Sequence, residues 1–262
     1  MKKMHNILKI ISLCFFGAAI LTLLGFVGNM RSSAACESLE IRFLGETTAG
    51  FVKESEIRQN IMEASGPLMG NQLGEIDTRM VEEAVIRLPH IKEAAVFKTI
   101  DKRLMIEVSE RVPAIRLIDI HGTHCYLDEE GYLMPISANA SPRLPVVTGH
   151  FTIPAEAVKA CTHLSDTLMD PRLAGIFTYG RTVLADAFWS AQLQHTEVDR
   201  FGDFIVYPQV GSHTINFGPP DELDRKLDML KTFYGSGMGA SNWNKYTAIN
   251  LKFKDQIVCT KK

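Results

Sequence analysis

The 262-residue chain is poor in the signals that carry chemistry. Its basic residues are scattered singly and never gather into the Lys/Arg clusters that neutralise phosphates, so the electrostatic footprint of a nucleic-acid binder is missing. The glycines form neither a Walker loop nor a dinucleotide loop, which leaves nucleotide binding without a motif. Cysteine is scarce, and the wide spacing of Cys14, Cys36, Cys125, Cys161 and Cys259 matches no zinc site. Nor does any local signature set one beside a histidine, as a cysteine hydrolase requires. His121, His124 and Cys125, close to Asp128, Glu129 and Glu130, come nearest to a metal or catalytic cluster. On a strand, however, His124 and Cys125 point to opposite faces, and the two histidines lack the i, i+4 spacing of a zincin helix. They read as a solvated hairpin end. Asp199 and Asp203 flank Phe201-Gly202 and read as turn acids rather than a glycosidase pair. No enzymatic activity, metal, cofactor or small-molecule substrate is expected.

What the chain does have is one long uncharged run, the eighteen residues from Ile10 to Val27. At helical rise it covers about 27 Å, near the roughly 30 Å of a bilayer's hydrocarbon core. Lys2, Lys3 and Lys9 precede it and only Arg31 follows closely, so the positive-inside rule predicts a cytoplasmic tail over 1–9 and a transmembrane helix over 10–28. The remainder lies outside, as in a single-pass type II protein of the inner (plasma) membrane. A cleaved signal peptide is the rival, since Ser33-Ala34-Ala35 offers small residues and Cys36 follows as in a lipoprotein. The run exceeds the usual apolar core of about 7 to 15 residues, and polar Asn29 to Ser32 separate it from the small residues. Ser33 also stands where a lipoprotein signal wants an aliphatic residue. Cys36, Cys125, Cys161 and Cys259 then lie where disulfides are allowed, with no pairing favoured.

Residues 36–111 make the first exterior module. Leu39, Ile41 and Phe43 alternate with polar residues as a strand. Ile57, Ile61, Ala64 and Leu68 recur at helical spacing up to Gly66-Pro67, and a second helix capped by Asp77 carries Met80, Val81, Ala84, Val85 and Leu88. Strands follow from Ile91 to Ile100 and around Leu104, Ile106 and Val108, joined by Asp101-Lys102. Two helices with one apolar face each bury both against one side of a three-stranded sheet, giving a β-α-α-β-β unit.

Residues 112–262 read as a mostly antiparallel β domain with flanking helices. Strands and hairpins run from Ile115 to Ile136, and a helix is expected from about Pro154 to Met169, with Cys161 on its apolar face. A short helix over 186–193 comes next, then antiparallel strands at Phe204–Tyr207 and His213–Phe217. Pro219-Pro220-Asp221 opens a helix with Leu223, Leu227, Leu230 and Tyr234 on one stripe and Lys226 on the polar face. In the last strand Thr247, Ile249, Leu251 and Phe253 share one face, against Ala248, Asn250, Lys252 and Lys254.

The β-α-α-β-β order directly after one span resembles a POTRA domain. Leu88-Pro89-His90-Ile91-Lys92, the run from Leu104 through Glu110-Arg111-Val112-Pro113-Ala114, Tyr126 to Gly131 and Leu144-Pro145-Val146-Val147-Thr148-Gly149 resemble successive motifs of the bacterial FtsQ/DivIB family. Ile249-Asn250-Leu251-Lys252-Phe253 is similar to the family's closing "I-D-L-R-Y", with the acid become an amide and the ring lacking its hydroxyl. The resemblance implies an α+β fold and a non-enzymatic scaffold of the division septum that helps control septal peptidoglycan synthesis. It also implies FtsB/DivIC-like and FtsL-like single-span partners and, through them, FtsW and FtsI. The implied partner-binding residues are Ile249, Asn250, Leu251, Lys252, Phe253, Lys254 and Asp255, read as a sheet edge that a partner segment completes by strand addition. POTRA modules also occur in protein transport and outer-membrane assembly, the alternative function; such proteins carry POTRA repeats or a β-barrel, and neither is seen here.

Overall fold

The computed structural model describes residues 15–20, 22, 33–45, 50–166, 169–235 and 245–262. The expected tail over 1–9 and most of the expected span over 10–28 lie outside the described residues. Residues 15–20 are helical, and among the described residues no helix is long and apolar enough to cross a membrane. The chain divides into two compact units, one running to Glu110 and the other from Arg111 to Lys262, the second also taking in Phe51.

The first unit contains β1 (Ser38–Leu44), α1 (Glu54–Ser65), α2 (Thr78–Ile86), β2 (Ile91–Lys98) and β3 (Arg103–Glu110). Its sheet order is β1-β3-β2, with β1 parallel and β2 antiparallel to β3. The central strand carries the core, Leu104, Ile106 and Val108 being fully buried. Helix α1 buries Ile57 and Ile61 and ends at Gly66, whose φ of 72° breaks it, so Leu68 reaches the core from the following loop. Helix α2 starts where Asp77 accepts the N–H groups of Arg79 and Met80 at 2.9 and 3.4 Å. It buries Val81, Ala84 and Val85; Met80, expected on that stripe, is 48% exposed because it flanks rather than centres it. Asp77→Ala should cost about 1 kcal/mol, read as a lower denaturant midpoint for this unit. Residues 34–36 are part of the same unit. Leu73 N–H donates to Ala34 O, Cys36 N–H to Asn71 O and Gly70 N–H to Cys36 O at 2.8 to 3.0 Å, and Cys36 is buried.

In the second unit the strands are β4 (Pro113–Asp119), β5 (His124–Asp128), β6 (Leu133–Pro135), β7 (Val146–Gly149), β8 (His195–Val198), β9 (Phe204–Tyr207), β10 (Thr214–Gly218), β11 (Tyr246–Asn250) and β12 (Val258–Lys261). They form one nine-stranded sheet in the order β12-β11-β10-β9-β8-β7-β4-β5-β6. Five of the eight pairings are antiparallel; β4–β7, β7–β8 and β10–β11 are parallel. The helices are α3 (Ala155–Lys159), α4 (Pro171–Leu184), α5 (Ala187–Gln192) and α6 (Leu223–Phe233). Leu173, Ile176 and Tyr179 of α4 and Leu227 and Leu230 of α6 share one buried cluster with Ile115, Leu117, Val147, Val206, Ile215 and Ile249 of the sheet.

The structure corrects the helix expected over 154–169. Helix α3 has only five residues and stops before Cys161, which takes a φ of 49°, so this thiol lies on no helix face. The long helix is α4, begun by Asp170, which accepts the Arg172 N–H at 2.9 Å, with Pro171 in the first turn. Its apolar pattern is diluted by glycines that serve packing: a Cβ on Gly180 would stand 2.0 Å from Ile115 Cδ1, and one on Gly175 2.6 Å from Pro220 Cγ. Lys226 is a second correction. It is 2% exposed, because its ammonium turns back to donate to Pro219 O at 2.7 Å and to the Asp221 carboxylate.

Candidate partner interface

The two sheets have four edges, and three are closed. At β1, the Arg58 guanidinium donates to Leu39 O at 2.8 Å while Glu54 holds it from behind. At β2, the Glu82 carboxylate accepts the Val96 N–H at 2.9 Å. Strand β6 is short, its Leu133 N–H donates to Thr162 O at 3.0 Å, and Tyr132 and His163 form a β-bridge beside it. Strand β12 differs. Among the described residues the one side-chain bond to its backbone comes from its paired neighbour, Thr247 Oγ1 to Thr260 O at 3.3 Å. Lys262 N–H donates inward to Lys245 O at 3.3 Å, so alternation turns the N–H groups of Cys259 and Lys261 outward.

This overturns the expectation that Ile249 to Asp255 are themselves the edge strand. Strand β11 ends at Asn250 and lies between β10, parallel to it, and β12, antiparallel to it, so both of its sides are used. The reason is local. The Asn250 side chain accepts the Lys252 N–H at 2.9 Å, Gln256 N–H bonds Phe253 O at 3.3 Å and Asp255 takes a φ of 56°, which together turn the chain back into β12. Asn250 is thus a turn-former. Ile249 and Leu251 are core residues, and Leu251 N–H extends the pairing to Asn216 O at 2.8 Å. Lys252, Phe253, Lys254 and Asp255 form an exposed turn. Phe253, grouped by parity with the buried Ile249 and Leu251, is 53% exposed because the strand has ended before it.

The turn is fixed to its surroundings by charge. Lys252 pairs with Asp203, and this bond holds its ammonium above the ordinary lysine range. Its stem crosses Gly218, where a Cβ would stand 2.5 Å from Lys252 Cγ. Asp203 belongs to the β8–β9 turn, in which Asp199 accepts the N–H groups of Phe201 and Asp203 at 2.8 and 2.9 Å, so these acids do shape a turn. At its tip Phe201 is 75% exposed, with the Arg200 guanidinium 4.7 Å from the ring centre. Phe201 was not singled out by the sequence pattern; an aromatic held between two turn acids was the available signal. Just before β12, Ile257 and Asp255 line a groove of about 740 Å³ together with Arg225, Asp228, Met229 and Phe233 of α6. Phe233, Tyr246, Ile257 and Cys259 are only partly buried against the core, so its apolar layer is open at this edge.

The other sequence candidates are held structurally. Asp119 accepts the N–H groups of His121, Thr123 and Ile153 at 2.7 to 2.9 Å; burial alone would raise its carboxyl, but these bonds hold it below the usual range. Burial pushes the Cys125 thiol up to about 12 and also raises Cys161 and Cys259, so none of the three is a thiolate at neutral pH. Cys36, Cys125, Cys161 and Cys259 are free thiols. Among the described residues no group of three or more His, Cys, Asp or Glu side chains converges as a metal site.

Comparison with known proteins agrees with this division of the chain. Residues 34–109 match the model of the POTRA-like domain, and residues 112–260 match the family described as FtsQ/DivIB, C-terminal related. The cell division protein FtsQ of Rhodothermus marinus is 28% identical over 196 residues, covering 72% of this chain and 67% of that protein. With its larger unit matched from β4 through β12 and a POTRA-like module before it, this chain belongs to the FtsQ/DivIB family.

Proposed function

We propose that the chain is a division scaffold, anchored in the inner membrane by residues 10–28, that joins single-span divisome proteins at the septum and through them helps control septal peptidoglycan synthesis. The observation that carries this reading is the contrast, among the described residues, between three blocked sheet edges and the open edge at β12. An extended segment of an FtsB/DivIC-like partner adds to β12, with an FtsL-like protein in the same assembly and FtsW and FtsI reached indirectly. Main-chain bonds give affinity, and side chains of the added strand fill the groove beside Met229, Phe233 and Ile257. Phe253 presents exposed aromatic area in the turn that leads into β12, with Lys252, Lys254 and Asp255 around it, while Phe201 lies farther along the sheet, in the β8–β9 turn that Lys252 reaches through Asp203. The buried Cys36 and the backbone pairing of Ala34 to Cys36 support an anchor that stays joined, because cleavage there would cut into the POTRA-like unit. Tethering also raises effective concentration, so a modest interface suffices.

Two variants test the docking edge by co-purification with the FtsB/DivIC-like partner. Lys261→Pro deletes an outward N–H, and Phe253→Ala removes the exposed ring. Each should lower capture about tenfold with little change in melting temperature, while Lys261→Gln keeps most of it. Undiminished capture by both would contradict the assignment. A fluorescent fusion should gather at midcell only when septa assemble; uniform envelope fluorescence would contradict the division role.

A further inference from the structure

Resting on that reading of β12, we infer that the segment it receives is acidic at the end lying beside Lys245, Lys261 and Lys262. Lys261 is in register with Tyr246, and Lys262 bonds the backbone of Lys245, so the three lysines fall at the end of the ladder, Lys245 and Lys262 on one face of the sheet and Lys261 on the other. Among the described residues none of them has a carboxylate partner; the Lys245 ammonium lies 5.6 Å from the centre of the Tyr246 ring. The connecting sequence from Gly235 to Asn244 contains no acid that could neutralise them. This local excess stands out in a chain whose formal net charge is -2. Lysines on a free edge also deter self-pairing, but that role needs only like charge between copies. Recognition needs the opposite charge on the incoming strand. Acids there meet ammonium groups that lack a carboxylate and fix the register of the added strand, which main-chain bonds alone leave undetermined.

The test uses the full chain in neutral detergent and two labelled peptides of alternating Val and Thr, one flanked at both ends by glutamates and the other by lysines. At about 50 mM salt the acidic peptide should bind about tenfold more tightly, and the advantage should shrink at about 500 mM. The triple variant Lys245→Glu, Lys261→Glu, Lys262→Glu should remove or invert the preference, and Lys261→Pro should weaken the acidic peptide further than Lys261→Gln does. Equal binding of both peptides, still sensitive to Lys261→Pro, would leave the docking edge standing and overturn the acidic partner. A charge preference indifferent to Lys261→Pro would support recognition of acids and contradict strand addition. Vesicles of phosphatidylglycerol serve as the third probe. Binding to them with no binding of the acidic peptide would overturn the inference in favour of a lipid surface, and failure of the acidic peptide to bind at all would overturn it outright.

Discussion

Replacing Asp128 with alanine is expected to lower the unfolding free energy of the C-terminal unit by about 3–5 kcal/mol, the range for stripping one partner from a buried ion pair. Asp128 is 2% exposed and accepts the Arg111 guanidinium at 2.9 Å through one oxygen. Its other oxygen takes the N–H groups of Glu130 and Tyr132 at 2.9 and 2.7 Å, shaping the turn that ends in Gly131. Arg111 lies 4.0 Å over the Tyr132 ring and, once the buried carboxylate is gone, keeps only the exposed Glu130 carboxylate, 3.8 Å away and screened by solvent. For a unit of this size the loss corresponds to a melting temperature lower by roughly 10 °C. Asp128→Asn keeps an acceptor for the two N–H groups and should cost less. A double-mutant cycle with Arg111→Ala isolates the coupling; a coupling near zero would show that the turn, not the ion pair, carries the stability.

Gly149→Ala is expected to destabilise the same unit by about 3 kcal/mol or more, enough to leave much of the chain unfolded or insoluble. Two causes act together. Gly149 has a φ of 123°, a conformation that alanine adopts only under strain, and its added Cβ would stand 2.1 Å from Val198 O and 2.8 Å from Val198 N. Both are backbone atoms of the neighbouring β8 and cannot swing aside. Gly180→Ala is the informative contrast, since its Cβ would meet the end of the Ile115 side chain. Rotation of that end limits the cost to about 1–3 kcal/mol. Chemical denaturation of both variants should rank Gly149 as the more damaging, and the reverse order would contradict the packing described for β7 and β8.

Much of the fold could be read from the residues because period and punctuation agreed. In the first unit, Leu104, Ile106 and Val108 alternate on a strand that is in fact central, and Asp77 caps the helix it was expected to cap. The motifs shared with the family acquire physical reasons. Arg111 and Asp128 come from two separate motifs and meet in one ion pair, and the glycine closing Leu144 to Gly149 is there because β8 passes too close for a Cβ. The reading failed where side chains act across the sequence. Helix α4 shows no clear apolar stripe in the sequence because Gly175 and Gly180 stand at its closest contacts. Lys226 is buried because a carbonyl and a carboxylate at the helix start receive its charge, which no periodicity reveals. The site was half legible. The family motif points to Phe253 and its neighbours, and their alternation predicts a continuous strand, whereas β11 stops at Asn250. The Asn250 Oδ1, by accepting the Lys252 N–H, ends that strand and hands the edge to β12.

Amide hydrogen exchange on the full chain, free and bound to the proposed FtsB/DivIC-like partner, tests the docking role proposed for β12 most directly. Strand addition predicts that the outward amides of Cys259 and Lys261 exchange freely alone and become protected in the complex, while Val96 at the β2 edge and Leu133 at the β6 edge, bonded already, do not change. Protection that arises along β1, β2 or β6 with β12 still exchanging freely would contradict it.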